Sequence, residues 1–442
     1  MKFRGLLAAV VVLLILAGVL YWSNHRRTPE TNSSASAGTP ILKIDSTAVA
    51  SLIVKQKGAP PVTLVKSGAN NWQITAPGSF PADKSTVSAM LGGLAVLNAE
   101  RVVDDHATDL SQFGLSDPAV ELDITNKNNK TSRLLLGDDT PTGDSSYAAL
   151  AGDPRVFTVA SYLKNSFNKS LSDLRDKRLL PVDASSVSSI DLTRKDQTIG
   201  FARVQNGWQI EKPQSYRTDN FQVDDLLQQL TGAKWDPSAP ADDAAKAWPK
   251  ATPVAAVKIT GSVGADTLEI RKDKTEDYYA QSSAIPGTWK IDSTTASALG
   301  TDLTRSLDDF RNKQLFDFGY TDPEKIEYHS GATSLVLTRT GASTWLSSGK
   351  KMDADSVENL VTALRDLAAS TFVDSGFTSP TIDVTVTSDS GKRVEKVDLQ
   401  KTSDGAIAKR DDGPSLYSLD SVTFKGLTDA VTGLKPAAPA KK

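Results

Sequence analysis

The densest group of potential metal ligands in the chain lies in one short segment, where Asp104, Asp105, His106 and Asp109 follow one another closely. Carboxylate oxygens are the ligands that hard cations such as Ca²⁺ prefer in proteins. A calcium-binding loop spaces its ligands as Asp-x-Asp-x-Asp-Gly, and this segment does not follow that order. We therefore predict a solvated loop here and expect no metal site.

Signatures of enzymes and cofactor sites are missing from the sequence. It contains no Gly-x-Ser-x-Gly, Gly-x-Gly-x-x-Gly or His-Glu-x-x-His, the patterns of nucleophile, dinucleotide and zinc sites. It has no Cys, and its three His are scattered. We therefore expect a protein that is not an enzyme and holds no cofactor. Paired carboxylates come together in space rather than in sequence, so an envelope hydrolase stays open as a less favoured alternative.

Three tryptophans recur at almost equal spacing: Trp208 lies 136 residues after Trp72, and Trp345 lies 137 after Trp208. Aromatic rings can stack on sugars, which keeps a glycan- or cell-wall-binding module open as an alternative. Such a module would use exposed rings, for example those of Tyr278, Tyr279 and Trp289. A large ring repeated at one position is better explained as a core anchor between a sheet and a helix. We therefore predict the three tryptophans to be structural anchors.

An aspartate follows each tryptophan and precedes an apolar stripe with helical spacing. These residues are Asp83, Asp219 and Asp353. In the first copy the stripe consists of Val87, Met90, Leu91, Leu94 and Leu97. A carboxylate at the N-cap accepts hydrogen bonds from the exposed amides of the first helical turn. We therefore predict that each aspartate caps a helix whose apolar stripe faces a core.

The elements around these residues repeat in the same order, as a strand carrying the tryptophan, a turn, a capped helix and a second set of strands. The predicted fold class is α+β, a tandem repeat of about three related domains, each a mostly antiparallel sheet with packed helices. The predicted boundaries are residues 41–180 for repeat 1, 181–317 for repeat 2 and 318–432 for repeat 3. We expect repeat 3 to be truncated, without room for a long closing helix, and residues 433–442 to form a disordered tail.

A charged motif recurs near the ends of the first two repeats. Residues 173–178 read Asp-Leu-Arg-Asp-Lys-Arg, and residues 309–314 read Asp-Phe-Arg-Asn-Lys-Gln. The negative end of a helix dipole stabilises cations, so we predict the last turn of a closing helix at each motif. The alternative is a partner-docking site, for which the candidate residues are Arg175, Lys177, Arg178, Arg311 and Lys313.

The N-terminal segment indicates a membrane anchor. Residues 5–22 carry no charged side chain and, at about 1.5 Å per residue, form a helix long enough to cross the bilayer core. We predict a cytoplasmic tail over residues 1–4, a transmembrane helix over 5–22 and a flexible stalk over 23–40. The bulk of the chain would then lie in the periplasm, or otherwise outside the cytoplasm, of a single-pass protein of the bacterial inner membrane.

Charge argues against a nucleic-acid partner. The formal net charge is −3, and no long run of Lys and Arg occurs. Binding to the phosphate backbone needs a concentrated basic face. The sequence instead predicts an interaction with the membrane, through the N-terminal helix.

Four features together resemble a bacterial family, the domain of unknown function numbered 4340. They are the N-terminal anchor, the Trp-x-Ile-x-x-Pro stretch that begins at Trp72, the Phe113-Gly114-Leu115 turn with Pro118, and the Leu-Arg-Asp-Lys-Arg motif. The resemblance implies an accessory role outside the membrane, beside ABC-type transport proteins of the gliding-motility or envelope-export kind. It supplies no catalytic residues.

These features together favour a membrane-anchored accessory or scaffold protein without catalysis, with an ABC-type permease or another envelope protein as its partner. Residues that recur in every repeat are better explained by the shared fold than by a site. We therefore expect function where the repeats differ, at residues 103–112, 235–250 and 347–352.

Overall fold

The structure, a computed structural model, describes residues 40–438 except 43, 69–70, 196, 320–322 and 342. The predicted cytoplasmic tail, transmembrane helix and stalk lie outside the described residues, apart from Pro40 at the end of the stalk. Within the described part of the chain, no helix is long and apolar enough to cross a membrane.

Three antiparallel sheets of nine, eight and nine strands form the framework. Nine α-helices accompany them in the part of the chain that the structure describes. The described residues up to Asp176 form one compact unit with the first sheet, and those from Lys177 form a second with the other two. The prediction of a tandem α+β protein with mostly antiparallel sheets and packed helices is confirmed. Each sheet lies within one predicted repeat, and we keep the names repeat 1, repeat 2 and repeat 3.

Repeat 1 is a sheet of nine strands with three helices. Its strands are β1 (Val49–Gln56), β2 (Val62–Lys66), β3 (Trp72–Ala76), β4 (Phe80–Pro81), β5 (Arg101–Asp104), β6 (Val120–Asn126), β7 (Thr131–Asp139), β8 (Ser145–Leu150) and β9 (Val156–Ala160). Its helices are α1 (Lys84–Ala95), α2 (Ser161–Phe167) and α3 (Leu171–Leu174). The strand order is β4-β3-β2-β1-β6-β7-β8-β9-β5. The two strand sets therefore meet between β1 and β6.

Repeat 2 has eight strands and four helices. Its strands are β10 (Val187–Arg194), β11 (Gln197–Val204), β12 (Gly207–Lys212), β13 (Tyr216–Arg217), β14 (Thr252–Gly261), β15 (Gly264–Lys272), β16 (Tyr278–Ser282) and β17 (Thr288–Lys290). Its helices are α4 (Asn220–Gly232), α5 (Ala241–Ala247), α6 (Ser293–Asp302) and α7 (Leu307–Phe310). The strand order, β13-β12-β11-β10-β14-β15-β16-β17, matches that of repeat 1 up to its last strand.

Repeat 3 has nine strands and two helices. Its strands are β18 (Lys325–Ser330), β19 (Thr333–Thr340), β20 (Thr344–Ser347), β21 (Lys350–Lys351), β22 (Thr371–Val373), β23 (Ile382–Ser388), β24 (Arg393–Thr402), β25 (Gly405–Arg410) and β26 (Leu416–Asp420). Its helices are α8 (Ala354–Arg365) and α9 (Ser421–Thr432). The strand order is β21-β20-β19-β18-β23-β24-β25-β26-β22, which is the topology of repeat 1.

Repeat 3 corrects two expectations from the sequence. Helix α9 closes the repeat, so the predicted truncation and the lack of room for a closing helix are wrong. Part of the predicted disordered tail is ordered too, because Pro436 pairs with Met352 and the amide of Ala437 donates to the carbonyl of Lys351 at 2.9 Å. The apolar pattern of α9 is sparse, with Phe424 and Leu427 as its buried residues. A short stripe of this kind is easily missed in a sequence.

The core of each repeat lies between the helices and one face of the sheet. In repeat 1, Val87, Met90 and Leu94 of α1 are buried in the same cluster as Leu52 and Leu64 of the sheet. Side chains alternate between the two faces of a strand, so the residues between these apolar positions point to the opposite face. That opposite face is called the open face below.

Connectors cover part of the open face in repeats 1 and 2. In repeat 1, Phe113 and Leu115 pack on it as a second small apolar cluster. The connector approaches β7 so closely that a Cβ atom on Gly137 would lie 2.2 Å from the carbonyl oxygen of Phe113. In repeat 2, α5 and Trp248 take the covering position, against Tyr279. The connectors that differ in sequence thus share a place in the fold.

Candidate functional site

The three repeated tryptophans lie in the cores of their repeats. The exposed fractions of Trp72, Trp208 and Trp345 are 6%, 3% and 7%. Trp208 also donates a hydrogen bond from Nε1 to Oδ1 of Asp224 on α4, at 2.8 Å. A buried ring offers no face to an external sugar, so the burial of these three rings favours a role as core anchors over sugar binding.

The three repeated aspartates lie at the N-caps of α1, α4 and α8. Oδ1 of each accepts a hydrogen bond from a backbone amide of the first helical turn, which satisfies a donor that the helix itself leaves open. The caps and their donors are Asp83 with Thr86 at 2.7 Å, Asp219 with Phe221 at 3.1 Å, and Asp353 with Ser356 at 3.0 Å.

The charged motif forms an extended strap rather than a helix end. Helix α3 ends at Leu174, and Arg175 has φ −75° and ψ 139°. Arg311 follows α7 with φ −81° and ψ 138°. We call residues 175–179 the first strap and residues 311–315 the second strap. The prediction that these cations lie in the last turn of a helix is wrong.

The physical reason is that each strap finds strand-like backbone partners. In the first strap, the amide of Asp176 donates to the carbonyl of Pro81 at 2.9 Å. In the second, the amide of Asn312 donates to the carbonyl of Arg217, also at 2.9 Å. These bonds replace the i→i−4 bonds that another helical turn would make. Long-range pairing of this kind leaves no periodic signal in the sequence.

Arg311 lies at a joint between repeats 2 and 3. Its guanidinium carbon is 4.2 Å from the centre of the Tyr216 ring and 3.6 Å from that of Phe372. Nη2 donates to Oγ of Ser415 at 2.8 Å, and Nη1 pairs with Oδ1 of Asp308 at 2.9 Å. Only 8% of the residue is exposed. Arg311 therefore takes part in a joint inside the chain, and its role as a docking residue for an external partner stays a prediction.

Two further arginines stabilise this joint. Nη1 of Arg217 donates to the carbonyl of Gln314 at 2.7 Å, and Nη2 pairs with Asp317 at 2.5 Å. Arg410 donates to the carbonyl of Leu315. Both arginines thus hold backbone or side-chain groups in or next to the second strap. No sequence pattern pointed to either arginine, because neither belongs to a repeated motif.

Arg410 also lies in a buried ion pair. Its Nη2 is 3.2 Å from Oε1 of Glu395 and 2.6 Å from Oδ2 of Asp412. The hydrogen bond from Arg410 is the main reason why the pKa of Asp412 lies below its usual value. Burial by itself would lower the pKa of the Arg410 guanidinium, but the hydrogen bond and charge of Asp412 and the charge of Glu395 outweigh it and raise the pKa, which keeps the guanidinium charged. Breaking such a pair would leave an uncompensated buried charge.

A polar cavity of about 560 Å³ lies beside the second strap. It is built from the start of α4, the end of α6 and the strap itself. Its lining includes the capping residue Asp219 together with Arg305, Arg311 and Lys313. The predicted anchor Asp219 is thus brought beside two of the five predicted docking residues, Arg311 and Lys313, although it is far from them in sequence.

One exposed residue between two lining residues of this cavity, Asp219 and Gln222, is specific to repeat 2. Phe221, in the first turn of α4, is 75% exposed. The equivalent positions in the other repeats, two residues after the caps, are Ser85 and Asp355. Lys313 is exposed and makes no ion pair with a described residue. Exposed aromatic rings of this kind are enriched at protein interfaces.

The first strap lies differently. The guanidinium carbon of Arg175 is 3.9 Å from the centre of the Phe80 ring, and burial lowers its pKa. The carbonyl of Lys177 accepts a hydrogen bond from the amide of Trp235 at 3.0 Å. Arg178 donates to the carbonyl of Val182 at 3.4 Å. The three predicted docking residues of the first strap are therefore half-buried and take part in local packing.

The aromatic residues proposed for glycan binding do not form an exposed row. Tyr279 is buried, and Tyr278 and Trp289 are half-buried and packed against the core of repeat 2. Burial and a hydrogen bond to Asp273 raise the pKa of Tyr279 to about 12. The glycan-binding alternative therefore receives no support from these three rings.

The acidic segment near His106 forms local turns. Oδ1 of Asp104 accepts from the amide of His106, and Oδ1 of Asp109 accepts from the amide of Ser111, both at 2.9 Å. Among the residues that the structure describes, no group of three or more His, Asp or Glu side chains is placed to hold a metal ion.

Comparison with known families gives one match, found twice along the chain. Residues 72–247 and 208–389 match the model of a family described as a domain of unknown function, DUF4340. The two matches begin at the equivalent tryptophans Trp72 and Trp208, so the family pattern follows the repeat. Neither the curated proteins nor the solved structures gave a match to the chain.

Proposed function

The chain belongs to the family of domains of unknown function called DUF4340, and on that premise we propose that it is a membrane-anchored accessory protein that docks a protein partner through repeat 2. The proposed docking surface, called the repeat 2 surface, consists of the cavity beside the second strap, which Lys313 lines, together with Phe221, the residue before the lining residue Gln222. The observation that carries the proposal is the exposed Phe221, because the other repeats have polar residues at its position.

The division between repeated and unrepeated residues supports this proposal. The tryptophans and capping aspartates recur because each repeat needs them to fold. Phe221 and Lys313 have no comparable role in folding, because Phe221 exposes most of its ring and Lys313 is exposed on the strap. Binding energy at protein interfaces concentrates in a few residues, many of them aromatic, that become buried on association. On the repeat 2 surface, the exposed Phe221 is a residue of this kind.

The partner that we propose is an ABC-type permease or another protein of the same envelope complex. The basis is the resemblance in sequence together with the predicted membrane helix over residues 5–22, which would hold the repeats beside integral membrane proteins. Tethering of this kind raises the effective concentration of one surface relative to another, so a modest docking site is sufficient. The proposed location is the bacterial inner membrane with the repeats outside the cytoplasm.

Site-specific photo-crosslinking in native membranes tests the proposal. A photoreactive amino acid replaces Phe221 or Lys313 in the full-length chain, and crosslinked partners are identified by mass spectrometry. We expect the permease component of an ABC-type system, or another envelope protein of the same complex, from both positions. The matched control is Val263, which is 94% exposed at a hairpin of the same repeat and distant in sequence from the strap.

Three outcomes would count against the proposal. Equal crosslinking from Val263 would mean that the repeat 2 surface is not a preferred contact. Crosslinks to proteins unrelated to transport would overturn the proposed partner. A chain recovered without any membrane association would overturn the proposed anchor.

A further inference from the structure

The open face of repeat 1 is filled by four charged side chains that pair with one another. Nζ of Lys55 is 2.5 Å from Glu121 and 3.0 Å from Asp123, while Nε of Arg133 is 3.1 Å from Glu121 and 2.6 Å from Asp123. Asp123 is buried by this arrangement. We call these residues the charged quartet. The quartet neutralises its own charges and occupies the face of the sheet.

Strand register identifies the equivalent positions in repeat 2. Lys55 lies opposite Glu121 in repeat 1, as Thr193 lies opposite Ala256 in repeat 2. Asp123 lies opposite Arg133, as Lys258 lies opposite Thr267. Two long cations and one acid are therefore replaced by Thr193, Thr267 and Ala256. The side chains that fill the face in repeat 1 are shortened or absent in repeat 2.

A groove of about 400 Å³ lies at this place in repeat 2. It is lined by Asp191, Thr193, Ala256, Lys258, Thr267, Glu269, Gln281 and Ser283, among others. Elsewhere on the open face, Trp248 packs near Tyr279, and the guanidinium carbon of Arg271 lies 4.5 Å from the centre of its ring. The lining residues of the groove lie on or directly beside strands of the sheet.

Some charged side chains of the groove already form ion pairs, and one does not. Asp191 pairs with Lys212 at 2.9 Å, and Glu269 pairs with Arg271 at 2.8 Å. Lys258 is exposed and, within the described part of the chain, has no ion-pair partner. Its ammonium group is therefore available to an external carboxylate. The hydroxyl and amide groups of Thr193, Thr267, Ser283 and Gln281 supply further donors and acceptors, while the two acids retain free lone pairs.

The strands under the groove decide which ligand fits. Strands β10, β14 and β15 are interior strands of the sheet, so their backbone amides and carbonyls already bond to neighbouring strands. An extended peptide gains affinity mainly by adding to an exposed sheet edge, which the groove does not provide. A ligand here must be recognised by side chains. Closely spaced hydroxyls with a carboxylate match this set of groups.

We propose that the groove on the open face of repeat 2 binds an acidic saccharide, with a sugar carboxylate on Lys258 and sugar hydroxyls on the threonine, glutamine and acidic side chains around it. This site is separate from the repeat 2 surface, because their lining residues do not overlap. Loss of saccharide binding and loss of partner crosslinking are therefore independent results.

Isothermal titration calorimetry on the full chain in detergent tests this assignment, with trigalacturonate as the probe and an uncharged galactose trisaccharide of the same linkage for comparison. We expect trigalacturonate to bind and the uncharged sugar to bind at least tenfold more weakly, because a hydrogen bond to a charged group contributes about that factor. Lys258→Ala should weaken trigalacturonate binding about tenfold. Lys130→Ala, at an exposed loop lysine of repeat 1, should leave it unchanged.

A second variant rebuilds the charged quartet in the groove. Thr193→Lys, Ala256→Glu, Lys258→Asp and Thr267→Arg together reproduce the side chains of repeat 1, and they should abolish binding while the circular dichroism spectrum stays that of the parent chain. If this variant does not fold, the affinity of Lys258→Ala and Lys258→Met for trigalacturonate tests the proposal. Equal binding of the charged and uncharged sugars, unchanged binding after Lys258→Ala, or tighter binding of triglutamate than of trigalacturonate would each overturn the proposal.

Discussion

The guanidinium carbon of Arg311 lies 3.6 Å from the centre of the Phe372 ring, which connects the second strap to the edge strand β22 of repeat 3. The same guanidinium faces Tyr216 of repeat 2 on its other side. One cation thus lies between aromatic rings of two repeats. The motif that contains Arg311 is therefore part of a joint, which accounts for its position between repeats.

Replacing Arg311 should loosen this joint. Arg311→Ala removes both ring contacts and leaves Oγ of Ser415 without its donor, so we expect a loss of about 2 kcal/mol in the stability of the second compact unit. Arg311→Lys should recover only part of it, because an ammonium cannot form the same fork. Hydrogen–deuterium exchange of β22 peptides measures the effect. Lys313→Ala, on the exposed side of the same strap, is the control and should change exchange little.

Acid should weaken the same joint through Asp412. Because Arg410 lowers the pKa of Asp412, the folded state binds fewer protons than the unfolded state. This contribution to stability is fully present above the unfolded pKa of about 4 and is lost as the pH falls through the lower, folded pKa. Urea unfolding between pH 6 and pH 3 should show a steeper loss of stability in the parent chain than in Asp412→Asn. Identical slopes would contradict the assignment.

Two glycines of repeat 1 should respond to alanine in opposite ways. A Cβ on Gly137 would lie 2.2 Å from the carbonyl oxygen of Phe113, a distance that forces the backbone to move. We expect Gly137→Ala to cost about 2 kcal/mol or more. Gly92, inside α1, has nothing within 4 Å of the added atom, so Gly92→Ala should stabilise by about 0.5–1 kcal/mol. Thermal unfolding of both variants measures the difference, and a similar loss in both would refute the packing argument.

The cap of α8 should account for a moderate part of the stability of repeat 3. Asp353→Ala removes the acceptor for the amide of Ser356 and should cost about 1 kcal/mol. Asp353→Asn retains an oxygen acceptor and should cost clearly less. Chemical denaturation of the two variants provides the comparison. An equal loss would mean that the negative charge, rather than the hydrogen bond, stabilises the helix.

The repeat 2 surface should affect binding without affecting stability. Phe221→Ser combined with Lys313→Ala removes the exposed ring and the exposed cation, neither of which is buried in the folded chain. We expect the unfolding midpoint to stay unchanged and copurification of the ABC-type partner to fall at least tenfold. Val263→Ser, at another exposed apolar position of repeat 2, should alter neither. A lowered unfolding midpoint would mean that Phe221 or Lys313 stabilises the fold, which would contradict this prediction.

The sequence by itself determined the repeat and its local elements. The equal spacing of Trp72, Trp208 and Trp345 and the aspartates before the apolar stripes predicted the strands and capped helices. These signals are local, since a cap or an apolar stripe depends on residues within one or two helical turns. Helix α9 was missed because its apolar stripe is short.

Only the tertiary structure decided where the unrepeated residues lie. Arg410 reaches the carbonyl of Leu315 from a distant strand, and no spacing rule predicts such a pair. The groove exists because Thr193, Ala256 and Thr267 become neighbours through strand register, where repeat 1 has long charged side chains. Register and strap pairing are long-range backbone interactions. They depend on which segments become neighbours as the sheet forms. The packing of the whole repeat decides this, rather than any short stretch of the chain.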